Sequence, residues 1–289
     1  MKKVLYFTTT MVLAIVLFFD MNIACAPSDS NSHKYPSSYK SNCIRIMSYN
    51  ILSDSIGFDG LSVNTRESLL KGTVKATSPH ILCLQEVSGN WYKVLKKLGS
   101  NFEFTAPIRN RLCMCMTPIL YNTQSLTLIK SGIESYTCSF DSRIRCISWA
   151  YFSQKATDKR FVVLNTHLSI FDKNQCMPLL QATQLLELVN TLKDKYSCPV
   201  FIAGDFNTKQ RSEGSLDSAT YEYLTLILTD TRLSAKNILS GKEKAACSPI
   251  NDYIFFTGNA TVESYTLYSV PVLKALSDHF PIFADIILS

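Results

Sequence analysis

VFIAGDFN, residues 200–207, is a short β-rich apolar run that ends in a polar cluster, with Asp205 and Asn207 standing where the strand stops. Turn chemistry alone would account for either residue taken singly, because Asp and Asn are ordinary turn formers. The same grammar recurs along the chain, and that recurrence decides the fold. CIRIMSYN (43–50) alternates apolar and polar residues as a half-buried strand does, and ILCLQE (81–86), PILYN (118–122), ISWAYFS (147–153), FVVLNTH (161–167), DYIFF (252–256) and HFPIFADIIL (279–288) follow the same style. Helical patterns lie between them at 62–78, 90–98 and 177–195, the last with Ala182, Leu185, Leu186, Val189 and Leu192 on one face. Strands interleaved with helices over one continuous length predict an α/β (α+β) domain in which helices cover sheets. No linker divides residues 43–289, no internal repeat is evident, and residues 231–248 carry the least pattern.

The first segment obeys different rules. Lys2 and Lys3 precede a 16-residue apolar run that stops at Asp20, which is the charge and hydropathy order of a secretory signal and too short for a comfortable membrane span. Residues 1–24 are therefore expected to be a signal peptide, and export follows. Cleavage after the small residues Ala24 to Ala26 would leave Pro27 first. Cleavage before Cys25, with lipid on its thiol, resembles a bacterial lipoprotein signal, although Asn22 departs from the usual apolar residue; the sequence leaves both open. Residues 25–42 are rich in Ser, Asn, Pro and Lys and predict a flexible tether.

Composition sets further bounds. The chain carries 29 basic and 23 acidic residues, a net +6 that becomes +5 once Lys2, Lys3 and Asp20 are removed. No Lys/Arg block stands out, so a phosphate-bearing substrate is tolerated without a basic stripe for tight nucleic-acid binding. Ten cysteines leave nine beside Cys25, an odd number that fits no simple disulfide framework. Cys83 lies in a buried-type strand, and Cys113 and Cys115 lack a second pair at zinc-site spacing.

The strand-end clusters form an inventory. Asn50, Glu86, His167, Asp205 with Asn207, and Asp278 with His279 end or border strands, and Asp252 opens one. A rigid sheet holds such side chains at fixed separations. Carboxylate and amide oxygens suit a hard divalent cation, a water nucleophile needs a base, and a phosphoryl group gaining charge needs cationic or hydrogen-bonding donors. The inventory matches that chemistry as a set.

Taken in order, MSYN, LQEV, NTHL, GDFN, DYIF and SDHFPI resemble the endonuclease/exonuclease/phosphatase superfamily, the group containing pancreatic deoxyribonuclease, abasic-site endonucleases, neutral sphingomyelinases and inositol polyphosphate 5-phosphatases. The resemblance spans nearly all of residues 43–289 and implies a four-layer sandwich of two mixed β-sheets flanked by helices. It further implies that Glu86 and Asn50 bind Mg²⁺ (or Mn²⁺), with Asp278 completing an acidic wall on the metal side. Asp205 would deprotonate the attacking water and Asn207 fix the nucleophile or a phosphate oxygen. His167 and His279 would donate to non-bridging oxygens, and Asp252 would accept from the far ring nitrogen of His279. Arg145 resembles a family arginine that faces phosphate.

Departures accompany the match. Cys115 stands where deoxyribonuclease-like members carry the Glu that orients the first histidine, which leaves two expectations open, a lowered activity or a neighbour such as Tyr121 substituting there. Val63 replaces a Trp, and PINDYIF replaces RIDYIF. The implied reaction is hydrolysis of a phosphoester, DNA or RNA being the leading candidates, by a monomeric exported enzyme. A sphingomyelinase would want an exposed aromatic hairpin, whereas Trp91 and Trp149 are expected to be buried; an inositol-phosphate phosphatase would want several lysines, for which Lys209 and Arg211 are weak candidates. A surface protein using the scaffold only for binding is the non-catalytic alternative.

Overall fold

The computed structural model describes residues 42–54, 62–106, 116–138, 145–170, 176–209, 218–240 and 251–289. The signal peptide and nearly all of the tether, Cys113, Cys115 and Arg211 lie outside them. Strand β1 (Cys43–Asn50) shows how the molecule is organised. Ile44 and Ile46 point into a core shared by both sheets, while Met47 and Tyr49 point the other way, under helix α1 (Val63–Thr77) and helix α2 (Gly89–Leu95). Burial on both faces explains a strand in which every residue is buried.

Thirteen strands build two mixed sheets among the described residues. The seven-stranded sheet runs β10 (Asn237–Ser240), β12 (Ala260–Leu267), β13 (Ile282–Leu288), β1, β2 (Ile81–Gln85), β4 (Ile119–Asn122) and β3 (Phe102–Phe104). Its partner of six runs β5 (Leu126–Ser135), β6 (Cys146–Gln154), β7 (Arg160–His167), β8 (Val200–Asp205), β11 (Asp252–Thr257) and β9 (Thr229–Asp230). Helix α3 (Cys176–Tyr196) covers the second sheet with Ala182, Leu185, Leu186, Val189 and Leu192, the face its periodicity predicts. Helix α4 (Ala219–Thr225) adds Tyr221 and Leu224 to the same layer, and a short α5 (Thr231–Ser234) follows β9. Helices, sheet, sheet and helices make the expected four-layer sandwich.

Parity along the central strands then places the site. Residues facing the inter-sheet core are apolar at one end and switch to polar at the other. On β1 the sequence is Ile44, Ile46, Ser48, Asn50; on β2 it is Ile81, Cys83, Gln85; on β7 it is Phe161, Val163, Asn165, His167; on β8 it is Phe201, Ala203, Asp205. Antiparallel β11 enters from the polar end, so Asp252 precedes Ile254 and Phe256. Period-two geometry thus delivers five polar strand ends to one pole of the sandwich.

Some strands escaped the sequence reading. β5 is an edge strand, largely exposed, with Lys130, Ser131 and Glu134 among its residues, so no apolar alternation marks it. β12 carries a register shift between Val262 and Ser264 that breaks its period. The expected start of the last strand also moves, from His279 to Ile282. Pro281 has no N–H to donate to a ladder, and its carbonyl accepts from Tyr268 N. His279 is thereby left in a loop. Trp91 and Trp149 are buried as expected.

Candidate active site

Three neighbouring strands supply the half of the pole that holds Asp205 and its partners. In the β7–β8 parallel pair His167 is registered against Asp205, and in the β8–β11 antiparallel pair Asp252 is registered against Asp205. The backbones of β7 and β8 approach closely because position 204 is glycine: a Cβ there would sit 2.3 Å from Thr166 O. Asp205 is 1 % exposed. Its Oδ1 accepts from Asn207 N at 3.0 Å and its Oδ2 accepts from Asn50 Nδ2 at 3.0 Å. Oδ2 also lies 3.5 Å from His167 Nε2 and 3.8 Å from His279 Nε2. Burial, reinforced by the charge of Asp252, raises the Asp205 carboxyl above its ordinary range against the opposing pull of the two histidines and Asn50.

His279 comes from the loop before β13. Its Nδ1 is 2.7 Å from Asp252 Oδ2, as the resemblance implied. Burial alone would disfavour its charged form, but Asp252, with Asp205 and Asp278, overcomes that and pushes the imidazole up to about 10. The loop is pinned by Ser277, whose Oγ donates to Asn50 O at 2.7 Å and accepts from His279 N at 3.2 Å.

The first sheet supplies the acidic half. Glu86 follows β2 and its carboxylate accepts from Asn50 Nδ2 at 3.0 Å and from Ser53 N at 3.0 Å. Asp278 is exposed at the rim, and its charge acts on Tyr49, Arg66 and His279. Beneath the loop after β1, buried Arg66 donates to the carbonyls of Ile51, Leu52, Ser53 and Leu276 and lies 5.0 Å over the Trp91 ring. It thereby ties the Asn50 loop to the His279 loop. Leu52, Glu86 and Asn207 all have φ between 48° and 59°, left-handed backbone that costs energy in residues with a Cβ.

Three expectations change. Tyr121 pairs with Ile81 at the start of β2, at the far end from Glu86, and its hydroxyl donates to Glu103, so it cannot orient His167. Arg145 Nη1 donates to the carbonyls of His167 and Leu168 at 3.0 and 2.7 Å, which makes it a brace for the end of β7 rather than a shown phosphate contact. Asn50 turns its Oδ1 to Leu52 N at 3.1 Å and its Nδ2 to Glu86 and Asp205, so here it bridges the two carboxylates as a donor. Asn207 likewise spends one amide N–H on Leu168 O. Its second N–H and its oxygen are the groups available by chemistry for a substrate.

The donor set fits a hard divalent cation. Two carboxylates, Glu86 and Asp205, share a single neutral amide, and Asp278 adds a third negative charge at the rim. Asp205, Asp252 and His279 place ligand-type atoms within 4.8 Å of one another, but the Asp252–His279 hydrogen bond engages two of them with each other. Glu86 is the better-placed ligand on that ground. Between α1 and α2 opens a cleft of about 520 Å³ lined by Asp54, Asn64, Glu67, Asn90, Lys93 and Lys97, among others. Burial opposes ionisation of Asp54, yet hydrogen bonds from Ser88 and Asn90 outweigh it and hold this carboxyl below its usual range.

Position of the strand ends made Asn50, Glu86, His167, Asp205, Asp252 and His279 legible from the sequence. Gln85, Asn165, Arg66 and Ser277 were not, since a buried amide, guanidinium or hydroxyl carries no periodic signal.

Solved structures share the whole architecture. A Bacteroides vulgatus endonuclease/exonuclease/phosphatase superposes with a TM-score of 0.70 at 22 % identity, covering 86 % of this chain and 99 % of that one. A mannosyl-6-phosphatase of Bacteroides thetaiotaomicron gives 0.68 at 18 % identity, covering 84 % and 99 %. The human Nocturnin catalytic domain with bound sulfate gives 0.65 at 22 %, covering 86 % and 95 %. No curated protein sequence matches this chain. The model of the Endonuclease/Exonuclease/phosphatase family matches residues 47–279, a span that contains every residue of the site, and the chain belongs to that family.

Proposed function

We propose that this chain is a divalent-metal-dependent phosphoesterase that hydrolyses a phosphodiester, in the manner of a nuclease, by in-line attack of water. One observation carries the proposal: buried Asp205 lies within 3.8 Å of two imidazole nitrogens while hydrogen-bonded to the Asn50 amide that also holds Glu86. Glu86, with Asp278 on the outer wall, would hold Mg²⁺ (or Mn²⁺), which when bound polarises a phosphate oxygen and offsets its developing charge.

The protein's own groups do the rest. Asp205, aligned by Asn207 N, takes the proton of a water as its oxygen attacks phosphorus, and the opposite P–O bond breaks in line. His279, kept charged by Asp252, donates to a non-bridging oxygen from one side and His167 donates from the other. The upward shift that burial imposes on the Asp205 carboxyl strengthens it as a base. Asp205→Ala should lower kcat at least ~10²-fold, as loss of a general base does.

A second reading, hydrolysis of a sugar phosphate, is favoured by the cleft between α1 and α2, whose wall residue Asp54 follows Ser53, the donor to Glu86. The cleft's carboxylates, amides and lysines suit hydroxyl-rich ligands, and among the described residues no aromatic ring lines it for base stacking. A mannosyl-6-phosphatase among the fold neighbours agrees with that reading. Purified protein would be assayed on DNA, RNA, bis-p-nitrophenyl phosphate, a hexose 6-phosphate, sphingomyelin and inositol phosphates, with and without chelator. Chelator-sensitive turnover of the first three supports the diesterase, and turnover confined to the hexose phosphate supports the second reading. Equal rates in wild type and Asp205→Ala, or none in either, would favour the non-catalytic binding protein. Export, with residues 1–24 as leader and 25–42 as tether, belongs to the same proposal; mass spectrometry of the mature N terminus distinguishes lipid on Cys25 from cleavage after Ala26.

A further inference from the structure

The two sheets meet at the site pole through one direct amide pair that the mechanism above does not use. Gln85 ends β2 and precedes Glu86; Asn165 lies on β7, two residues before His167. Both side chains face the inter-sheet space and both are 0 % exposed. Gln85 Nε2 donates to Asn165 Oδ1 at 2.8 Å, with Ser48 Oγ and Cys83 O each 3.1 Å away. Asn165 Nδ2 donates to Leu84 O at 2.8 Å and Pro118 O at 2.9 Å. Those two carbonyls can only accept, so they fix which way Asn165 points, and Asn165 in turn fixes Gln85.

Packing does not account for this pair. Gln85 Oε1 is buried without a hydrogen-bond partner, a costly state that an apolar side chain of similar shape would avoid. What an apolar pair would lack is direction. Sheets held by dispersion and the hydrophobic effect tolerate small slides, because neither force is directional, whereas an amide pair of fixed length does not. We infer that Gln85 and Asn165 are positioning residues that set the separation of Glu86, on the cation side of the site, from His167, on the phosphate side. Neither touches the substrate. The inference rests on the phosphoesterase reading for its effect on rate, though not for its geometry.

The test uses the full chain with Gln85→Met, Asn165→Leu and the swapped pair Gln85→Asn/Asn165→Gln, which keeps the summed reach of the two amides. Each single change should lower kcat at least ~10-fold with KM within about threefold, since misplacement affects the transition state more than binding. The swapped pair should recover most of the loss seen in the weaker single variant. Melting temperatures measured alongside separate this from simple destabilisation: kcat unchanged well below the melting point, whatever the melting point does, would overturn the inference. A second readout needs no turnover. Mn²⁺ should broaden the imidazole proton resonances of His167 in the wild type, and the broadening should change in both single variants and return in the swap. Identical broadening in all four proteins would overturn the bridge, while no broadening in the wild type, or its inactivity on every phosphoester, would overturn only the reading it rests on.

Discussion

His279 and Asp252 show what one residue pair does for the site. An imidazole buried as this one is would ordinarily lose its proton more readily, and the Asp252 carboxylate at 2.7 Å reverses that, so the charged form persists up to about pH 10. Removing the negative charge leaves burial to dominate. In Asp252→Asn the imidazole should therefore turn neutral at lower pH, and the alkaline limb of the kcat profile should move down by at least about one pH unit. The acid limb, set by the raised carboxyl of Asp205, should move down too, because Asp252 is one cause of that raise. A profile of unchanged shape, merely scaled, would show that Asp252 does not govern protonation at all. The residue pattern alone marked only an acid opening an apolar strand, whereas the resemblance implied the pairing. Its partner Ser277, which fixes the His279 backbone to Asn50, was hidden because a serine before an Asp reads as turn chemistry.

At the scale of elements the decisive contact is between β7 and β8. Their parallel pairing puts His167 beside Asp205 only because Gly204 lets Thr166 O come within 2.3 Å of where a Cβ would be. Gly204→Ala must either part the two strands or shift one along the other. Stability should fall by about 3 kcal/mol, read as a lower urea midpoint, as overpacking against backbone requires. Activity at a temperature where the variant is folded should fall as well; a fully active, destabilised Gly204→Ala would mean that the β7–β8 spacing is not tuned for the histidine. Strands of this kind were legible because β1, β2, β7, β8 and β11 are buried on both faces and end in polar residues. β5 and β12 were not legible, the first being an exposed edge and the second carrying a bulge. The left-handed backbone at Leu52 and Glu86 also has no signature in residue type, because tertiary contacts accompany it: Ser53 N bonds Glu86 and Arg66 gathers the carbonyls of residues 51 to 53, whereas at Asn207 the bond from its N to Asp205 is local.

Across the whole molecule the poles differ in kind. One carries crowded carboxylates, and the other a tightly satisfied buried ion pair, while left-handed backbone occurs at both. Arg45 and Asp285 are registered partners on β1 and β13, with Nε and Nη2 of Arg45 2.7 and 2.8 Å from the two carboxylate oxygens. Nη1 donates to Thr77 O at the end of α1, Ser264 Oγ donates to Asp285 from β12, and the guanidinium lies 4.2 Å over the Phe283 ring. The backbone N–H of Arg45 donates to His80 Nδ1 at 2.8 Å, which requires that nitrogen to be unprotonated. Burial, and after it the Arg45 charge, push His80 down to about 4, with Asp285 only partly opposing them. The unfolded chain takes up this proton near pH 6.5, whereas the folded chain resists until about pH 4, so the unfolded state binds more protons between those values. Stability should consequently be full above pH 6.5 and fall as the pH drops, by roughly 3 kcal/mol near pH 4 from this residue alone. Asp205 works against that trend, because its raised carboxyl gives the folded chain the extra proton in acid. The difference between two proteins isolates the histidine: urea midpoints of wild type and His80→Gln, whose amide oxygen still accepts from Arg45 N, should diverge progressively below pH 6.5. Parallel curves down to pH 4 would mean that His80 is not the acid-sensitive joint between β1, β2 and β13.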